Sequence, residues 1–522
     1  MSSRFFRPGA LGLTLALAGA TSGLAQGQAP ISAIDWLDRP DPMAALRTAP
    51  AEPVIEPPVS RNAQVPHVEV LPLDSVQLGA VGLLPQSFTG LPQDLWLGSD
   101  PDQVAALLRR LDVDRLPAMQ SLLYTLMLAE SEPPASEGET PVLLLARLDK
   151  LRDMGAVEPA LSLLERAGPE HHPELFARNF DLALLAGTED QACARMTARP
   201  DLAPGYDARI YCLARTGDWR AAALTFSTVR ALGTLPATTE TLLELFLEPA
   251  LIEGMPPMAP PARITPLTFR LFEAIGQPLP SAAQPRAFAM TDLRGVSGWK
   301  AELEAVERLA RTGALSENRL LGLYTARKPA ASGGIWDRVA AIQDFDAAIR
   351  KGAPQEIADS ITAAWAAMRE AGLEVPFARL FGERLSKIEL PGRPAQRTAF
   401  RTAMLSPDYE LSARRMKPEG AEELFLASLA QGAPDVSQAQ SATARAVAAA
   451  FAPDATPPED TAALIRQDRL GEAILQAMLL YSRAAHGEWK DATEALVILR
   501  SVGLEDTARR AALQMLILDR RV

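Results

Sequence analysis

From Asp100 onward the apolar residues recur at intervals of three and four, and the alternation typical of strands is absent. Two such faces are Val104, Leu107, Leu108 and Leu111, and Leu143, Leu144, Leu148 and Leu151. This spacing places the apolar side chains on one side of an α-helix. Because Gly or Pro follows each stretch of roughly ten to fifteen residues, the helices should pair antiparallel through short turns. The pattern predicts an all-α fold, an α-solenoid of helix pairs.

A glycine followed five positions later by a small residue recurs along the chain. It occurs as Gly155/Ala160, Gly187/Ala192, Gly217/Ala222 and Gly487/Ala492. The turn after a helix favours a residue that tolerates positive φ, which is Gly. The next helix needs a small side chain where it meets its partner. We therefore predict that these four glycines are the turns of helical hairpins.

On this pattern the chain resembles the tetratricopeptide family of helical hairpins. In the best copy, Ile210 to Leu232, the turn glycine, the small contact residue and the aromatic of the second helix are Gly217, Ala222 and Phe226. The copies are shorter than the family's 34-residue period and lack its usual first-helix signature. Residues 155–232 and 475–505 carry the resemblance. It implies stacked hairpins that form a superhelix with a groove for a partner peptide or protein.

The alternative is a non-repetitive helical array in which Gly–Ala pairs recur by chance, because the chain is rich in Ala. Proline-rich breaks divide the chain under either interpretation. We expect a signal peptide at 1–25, a Pro-rich linker and extended arm at 26–98, TPR-like repeats at 99–247, a second helical block at 262–433, an Ala/Pro-rich linker at 434–460 and a C-terminal helical cap at 461–522. Residues 65–98 are too apolar for a solvated spacer. They suit either an extended arm along the helical body or a small β-rich cap.

The first 25 residues have the pattern of a Sec-type signal peptide. Arg4 and Arg7 precede a short apolar run from Ala10 to Ala20, and Gly23 and Ala25 provide the small residues of a cleavage site. The run is too short to span a membrane, and no later segment reaches 18 uncharged apolar residues. Because no Cys follows the run, the chain should not be a lipoprotein. We expect an exported, periplasmic protein without a transmembrane segment.

Cys193 and Cys212 are the only cysteines in the chain. Cys193 follows Gly187 on one predicted helix, and Cys212 precedes Gly217 on the next, with a Pro- and Gly-containing break at 199–205. The midpoint between the cysteines falls inside this break, so an antiparallel hairpin folded there places both side chains at the same level. Export favours oxidation. We predict a disulfide; the alternative is two buried thiols that act as small hydrophobic residues.

The stretch from Asn318 to Arg338 concentrates aromatic and arginine side chains in a chain with only 6% aromatic residues. Arg, Tyr and Trp dominate the energetics of interfaces. The candidate partner-binding residues are Asn318, Tyr324, Arg327, Trp336, Asp337 and Arg338. The alternative is structural: Ser332 caps the helix that carries Ile335, and Trp336 packs against the previous helix.

The segment before this stretch, Gly298 to Thr312, has the pattern of an amphipathic helix. We expect Leu303, Val306, Leu309 and Ala310 to face inward and Glu302, Glu304, Glu307, Arg308 and Arg311 to face water. Glu304 and Arg308 are spaced for a favourable i,i+4 pair.

Charge and motif content exclude several classes of function. With 52 Lys and Arg against 64 Asp and Glu, the net charge of −12 disfavours binding to nucleic acid or to anionic membranes. The chain contains no GxSxG, P-loop, GxGxxG, HExxH or EF-hand motif. The pair His171–His172 lies in a loop without a further metal ligand nearby, so we interpret it as turn residues. We assign no catalytic, cofactor-binding or metal-binding residues.

These observations favour a protein that binds rather than reacts. We expect an exported helical-repeat scaffold that holds a protein or peptide of the cell envelope and is not an enzyme. One alternative is a superhelical peptidoglycan-acting hydrolase, or its accessory subunit, with carboxylates that no motif identifies. Another is a chaperone-like partner of an envelope motor or secretion complex.

Overall fold

The computed structural model describes residues 78–484 and 487–518, so the predicted signal peptide at 1–25 and most of the segment at 26–98 lie outside it. Within the described ranges the chain is helical and contains no strand, and successive helices pack against each other. The predicted all-α fold of neighbouring helix pairs is confirmed. No helix in these ranges is long and apolar enough to cross a membrane.

The first helices begin where prolines and polar caps place them. They are α1 (Gln86–Thr89), α2 (Pro101–Arg110), α3 (Pro117–Leu128), α4 (Val142–Asp153), α5 (Val157–Ala167) and α6 (Pro173–Ala186). Pro101 occupies the first turn of α2, and the Asp100 carboxylate accepts a hydrogen bond from the Gln103 amide at 2.9 Å. Both features are typical of a helix start, where the backbone N–H groups have no partner within the helix.

The next helices, together with α6, enclose a hydrophobic core of their own. They are α7 (Glu189–Ala198), α8 (Tyr206–Arg215), α9 (Trp219–Ala231), α10 (Ala237–Leu247) and α11 (Pro266–Ala274). We call residues 173–275 the lobe. Its chain leaves α6 through α7 to α10 and returns with α11, which packs against α6. Phe176, Phe180 and Phe272 are among its fully buried side chains.

The remaining helices extend the main core, which also contains α2 to α5. They are α12 (Trp299–Ala310), α13 (Glu317–Thr325), α14 (Ile335–Lys351), α15 (Pro354–Ala371), α16 (Glu374–Leu385), α17 (Arg393–Met404), α18 (Tyr409–Arg415), α19 (Gly420–Ala430), α20 (Ala442–Ala450), α21 (Glu459–Arg466), α22 (Leu470–Ala484), α23 (Trp489–Ser501) and α24 (Glu505–Ile517).

The four repeated glycines lie at the turns of helical hairpins. Gly155 joins α4 to α5, Gly187 joins α6 to α7, Gly217 joins α8 to α9, and Gly487 precedes α23. All four have positive φ, between 79° and 102°, where a side chain would strain the backbone. The small residues five positions later are all buried: Ala160, Ala192, Ala222 and Ala492. The glycines therefore allow the turns and the alanines allow close helix packing, as the sequence pattern predicts.

The segment predicted as a linker at 434–460 contains a helix that belongs to the core. Val447 and Ala450 of α20 are fully buried, and α20 packs against α23. The Thr493 hydroxyl donates to the Ala446 carbonyl at 3.0 Å, and the Arg500 guanidinium donates to the Ala450 carbonyl at 2.6 Å. Its alanines allow α20 to approach α23 closely, so low side-chain volume here reflects tight packing and not a spacer.

The described part of the predicted arm, residues 78–98, is held to the helices by a buried arginine. It contains a 3₁₀ turn (Leu78–Ala80), α1, and an isolated bridge between Leu84 and Ala129. The fully buried Arg147 donates to the carbonyls of Val81, Met127 and Ala129 at 2.8–2.9 Å. Burial lowers the pKa of Arg147 to about 10. Three carbonyl acceptors compensate for the loss of its hydration.

The C-terminal helices pack against the first helices of the array. The Gly98 amide donates to the Asp468 carbonyl at 3.0 Å, and the Gly471 amide donates to the Leu95 carbonyl at 2.9 Å. In a second contact, the Ala118 amide at the start of α3 donates to Oε1 of Gln514 on α24 at 2.7 Å. The segment predicted as a cap at 461–522 therefore joins the two ends of the array, which is closed by this contact.

The predicted disulfide between Cys193 and Cys212 is present. It links α7 to α8 across the break at 199–205, with Cα atoms 4.8 Å apart, and both side chains are buried in the lobe. No free cysteine remains in the described ranges. The position of the bond follows from the register of the hairpin, since both residues lie at the same distance from the turn.

Removal of this bond should lower the free energy of unfolding by about 3 kcal/mol, because the closed loop restricts the unfolded chain. The variant is Cys193→Ala with Cys212→Ala, measured by urea unfolding. The wild-type chain unfolded with a thiol reductant is the control, and it should show the same loss. An unchanged urea midpoint in both samples would contradict a stabilising role.

Candidate functional site

The candidate partner-binding residues lie at the junction of three helices. Asn318 and Tyr324 are on α13, and Trp336, Asp337 and Arg338 are in the first turn of α14. Arg327 lies in the loop between these helices, where its carbonyl accepts a hydrogen bond from the Gln343 side chain at 2.6 Å. The structure brings some of these side chains into contact and leaves the others on the surface.

Tyr324 and Arg338 meet at a buried carboxylate, Glu307 of α12. The Tyr324 hydroxyl donates to Glu307 Oε1 at 2.7 Å. The Arg338 guanidinium donates to both carboxylate oxygens, at 2.7 and 3.1 Å, and Arg311 lies 3.4 Å from Oε2. Glu307 is only 2% exposed. Three donors from α13, α14 and the end of α12 compensate for its burial, so this group holds the helices together.

The electrostatics of this junction reflect its burial. Burial, and then the neighbouring Glu307 charge, raise the pKa of Tyr324 well above its ordinary value, so the phenol stays a hydrogen-bond donor. Burial by itself lowers the pKa of Arg338, but the hydrogen bond and the charge of Glu307 reverse this effect, and the pKa of Arg338 is raised. Both side chains are thus fixed in the protonation state that Glu307 binds.

The expectation that Glu307, Arg308 and Arg311 face water is wrong for Glu307 and incomplete for Arg308. The Arg308 guanidinium is partly buried and donates to the Ser281 carbonyl at 3.0 Å, and the Glu304 carboxylate pairs with Lys300 instead, at 3.6 Å. The sequence held a signal for Glu307. It lies four residues after Leu303 and three before Ala310, which places it on the inward stripe of α12.

The structural alternative for 318–338 predicts that Ser332 caps α14, and this part of it is wrong. Gly334, not Ser332, is the N-cap residue, and no side chain caps the helix. Instead the Asp337 carboxylate accepts a hydrogen bond from the Gly333 amide at 2.9 Å. Trp336 packs against Trp299 of α12 with ring centroids 5.2 Å apart, and the Trp299 indole donates to the Leu323 carbonyl at 3.1 Å. Trp336 therefore packs against α12, one helix earlier than the previous helix that the alternative expects.

Only Asn318, Arg327 and Asp337 of the candidate set have exposed side chains. The other members stabilise the junction of α12, α13 and α14. A partner that binds this segment would contact polar side chains on its surface and would not reach Tyr324. Partner binding by this segment stays a prediction.

The lobe carries a second candidate surface that the sequence analysis did not identify. Six of the twelve large apolar side chains that are exposed in the described ranges lie between residues 206 and 255. They are Tyr206, Trp219, Leu224, Leu232, Leu251 and Met255. We call these six residues the lobe surface. Helix α9 buries only Ala222, Phe226 and Val229, so most of its circumference is open. Exposed large apolar side chains that recur within one segment of the chain are candidates for a contact site.

Aromatic contacts fix part of the lobe surface in place. The Trp219 ring lies 5.9 Å from Phe246, and Phe246 stacks on Tyr211 at 5.5 Å. Below them the Tyr211 hydroxyl donates to the buried Glu189 at 3.3 Å, and Arg270 of α11 donates to the same carboxylate oxygen at 2.6 Å. The exposed Trp219 is thus supported by a rigid layer, which reduces the entropy that binding would cost.

Two carboxyl groups have a raised pKa because they are buried. Burial raises the pKa of Asp181 to about 6, and burial also raises the pKa of Glu137 above its ordinary value. Neither residue lines the cavity of about 790 Å³ or three cavities of about 220 to 320 Å³. Structural burial accounts for both shifts without a catalytic role.

The histidine pair occupies the start of a helix. His171 ends a 3₁₀ turn, and His172 is the N-cap of α6, where its Nδ1 accepts a hydrogen bond from the Glu174 amide at 3.2 Å. Among the described residues no group of three or more His, Cys, Asp or Glu is placed to hold a metal ion. The local role of His172 is to satisfy a backbone donor of α6.

No protein-family model, no curated protein and no solved structure matches this chain. The tetratricopeptide resemblance and the function therefore depend on the residue pattern and the contacts of this chain alone.

Proposed function

We propose that this protein is an exported, periplasmic helical-repeat scaffold that binds a protein or peptide partner of the cell envelope and has no catalytic activity of its own. The observation that carries the proposal is the lobe surface. Four of its six side chains lie on α8 and α9 or directly after α9, within the region 155–232 that resembles tetratricopeptide hairpins, and the other two follow α10. Such hairpins bind partners through the surfaces that stacked helices present.

The lobe surface has the composition of a contact site. Trp and Tyr contribute more binding energy than other residues, and both occur in it. Leu224 is 71% exposed and Leu232 is 66% exposed, so neither contributes much to folding. Large apolar side chains held in water without a folding role suggest a partner that covers them.

Export is supported by the leader pattern at 1–25 and by the disulfide. Structural disulfides persist in oxidising compartments and are rare in the cytosol. The bond between Cys193 and Cys212 is buried, as expected for a structural bond. These two features together support the proposed periplasmic location.

The experiment is site-specific photo-crosslinking in cells of the native host. A photoreactive amino acid at position 224 should crosslink to one envelope protein or peptide. Position 296 is the matched control, because Val296 is 73% exposed and lies outside the lobe. Trp219→Ala should reduce the crosslink at position 224 by about tenfold, since an exposed aromatic anchor is lost. The chain itself should be recovered from the periplasmic fraction.

Two outcomes would contradict the proposal. Equal crosslinking at positions 224 and 296 would remove the lobe surface as the contact site. Clearing of purified cell walls by the wild-type chain, abolished by one carboxylate substitution, would establish the peptidoglycan hydrolase alternative. A crosslinked protein that belongs to an envelope motor or secretion complex would favour the chaperone-like alternative over a general scaffold.

A further inference from the structure

A cavity of about 790 Å³ lies where the first, middle and last helices of the array meet. Its wall includes the loop between α2 and α3 and the C-terminal ends of α12, α15 and α24. Five arginines line it: Arg115, Arg286, Arg311, Arg369 and Arg401. The acidic residues of the wall are Asp114, Glu370 and Glu374. The local excess of positive charge contrasts with the net charge of −12 of the whole chain.

Helix ends explain part of this arginine cluster. Carbonyl groups at a helix C-terminus carry partial negative charge and attract cations. Arg311 Nε donates to the Ala371 carbonyl at the end of α15 at 2.6 Å. Arg286 donates to the Asp153 carbonyl at the end of α4 at 3.2 Å and to the Asp114 carboxylate at 2.6 Å. These two arginines therefore have structural partners on the cavity wall.

Other donor groups on residues that line this cavity or the adjoining one lack an acceptor in the described part of the chain. The exposed Arg369 guanidinium makes no hydrogen bond or ion pair there. Arg401 donates from Nη2 to Glu422 at 2.5 Å, but its buried Nε has no acceptor. An adjoining cavity of about 220 Å³ shares Arg311 with the first and is lined by Tyr124, whose buried hydroxyl also has no acceptor.

The type of these unsatisfied groups indicates what they would bind. Burial raises the pKa of Tyr124, so its hydroxyl stays protonated, and the two arginine groups carry donors only. A buried donor without an acceptor is costly, and few occur in native proteins. Two such donors, on the lining residues Arg401 and Tyr124, together with the exposed guanidinium of Arg369, therefore favour a ligand with several acceptor oxygens.

The arginines also repel one another. Burial lowers the pKa of Arg311, and the positive charges of Arg338 and Arg286 lower it further against the opposing effect of Glu307. Burial lowers the pKa of Arg308, and the charges of Arg286 and Arg311 act in the same direction. Arg286 and Arg311 line the cavity, and a negative group placed between them would relieve the repulsion.

We propose that this cavity is a binding site for a ligand that carries carboxylate or phosphate groups. Planar guanidinium groups bind such oxygens with two parallel hydrogen bonds, and the volume is within the range of small-molecule sites. The site is separate from the lobe surface and does not depend on the function proposed above. Arg369 and Arg401 are its most informative members, because the Arg369 guanidinium and Nε of Arg401 have no acceptor in the described part of the chain.

The test is isothermal titration of the mature full chain with citrate and with pyrophosphate, against sodium chloride at matched ionic strength. At least one of the two anions should bind saturably and raise the melting temperature. Arg369→Gln should weaken binding about tenfold, because a charge-assisted contact is lost, without changing the melting temperature of the unliganded chain. Arg263→Gln is the matched control, since Arg263 is an exposed arginine outside the cavity, and it should bind as the wild type does.

The two anions also distinguish the chemistry of the ligand. Saturation by citrate alone indicates a carboxylate ligand, and saturation by pyrophosphate alone indicates a phosphate ligand. The proposal is overturned if neither anion binds the wild-type chain saturably, or if Arg369→Gln and Arg263→Gln bind equally.

Discussion

Glu307→Gln should lower the free energy of unfolding by about 3–5 kcal/mol, because it leaves a poorly hydrated arginine without its counter-charge. The Arg338 side chain is only 12% exposed, and its guanidinium donates to both oxygens of Glu307. Glutamine retains the shape of the side chain but removes the negative charge and one acceptor. The measurement is the urea midpoint at an unchanged slope of the transition.

A neighbouring carboxylate provides the control for Glu307→Gln. Glu304 is on the same helix, exposed, and paired with Lys300 at 3.6 Å, so Glu304→Gln should cost less than about 1 kcal/mol. Combining Glu307→Gln with Arg338→Met should recover part of the loss, because the more buried of the two arginines at Glu307 is then removed and only the half-exposed Arg311 loses its counter-charge. Equal effects of the Glu307 and Glu304 substitutions would show that the buried junction contributes nothing special to stability.

The helices and their hairpin turns could be predicted from local spacing. Three- and four-residue periodicity, a glycine at the turn and an alanine five positions on are all properties of contiguous sequence. The disulfide was predictable for the same reason, because the register of one hairpin places Cys193 opposite Cys212. Each of these features depends on residues that are close along the chain.

The candidate site was harder to predict because residue type does not report burial. The concentration of Tyr, Trp and Arg at 318–338 suggested recognition, yet Tyr324 and Arg338 are used to bury Glu307. The position of Glu307 on the apolar stripe of α12 was a better guide than its charge. Conversely, the local sequence does not distinguish Leu224 and Leu232 from buried leucines, and only the structure shows that they are exposed.

Closure of the array could not be predicted, because it depends on contacts between residues far apart in sequence. The amide of Gly471 donates to the Leu95 carbonyl, and the amide of Ala118 donates to Gln514. Neither pair has a recognisable spacing or motif. The arginine-lined cavity has the same origin, since its wall combines the first, middle and last helices of the described chain. Local pattern identifies the helices, whereas long-range packing creates the site.

The contact between Trp96 and Gly471, which joins the first and last helices, predicts the second large loss of stability. Trp96→Ala should lower the free energy of unfolding by about 3–5 kcal/mol, because Trp96 is fully buried and its removal leaves a large cavity. The ring lies against Gly471 of α22, where an added Cβ would come within 2.2 Å of Cζ3. Gly471→Ala should therefore also destabilise, by about 1–3 kcal/mol, through overpacking. Both changes are measured by urea unfolding.

Two comparisons separate this contact from general effects of substitution. Gly322 is a helical glycine of α13 with open space around its Cα, so Gly322→Ala should be neutral or stabilise by up to about 1 kcal/mol. In a Trp96→Leu background, the cost of Gly471→Ala should largely disappear, because the two positions are coupled only if they touch. If Gly471→Ala costs the same in both backgrounds, then Trp96 and Gly471 do not form the contact that joins the first and last helices.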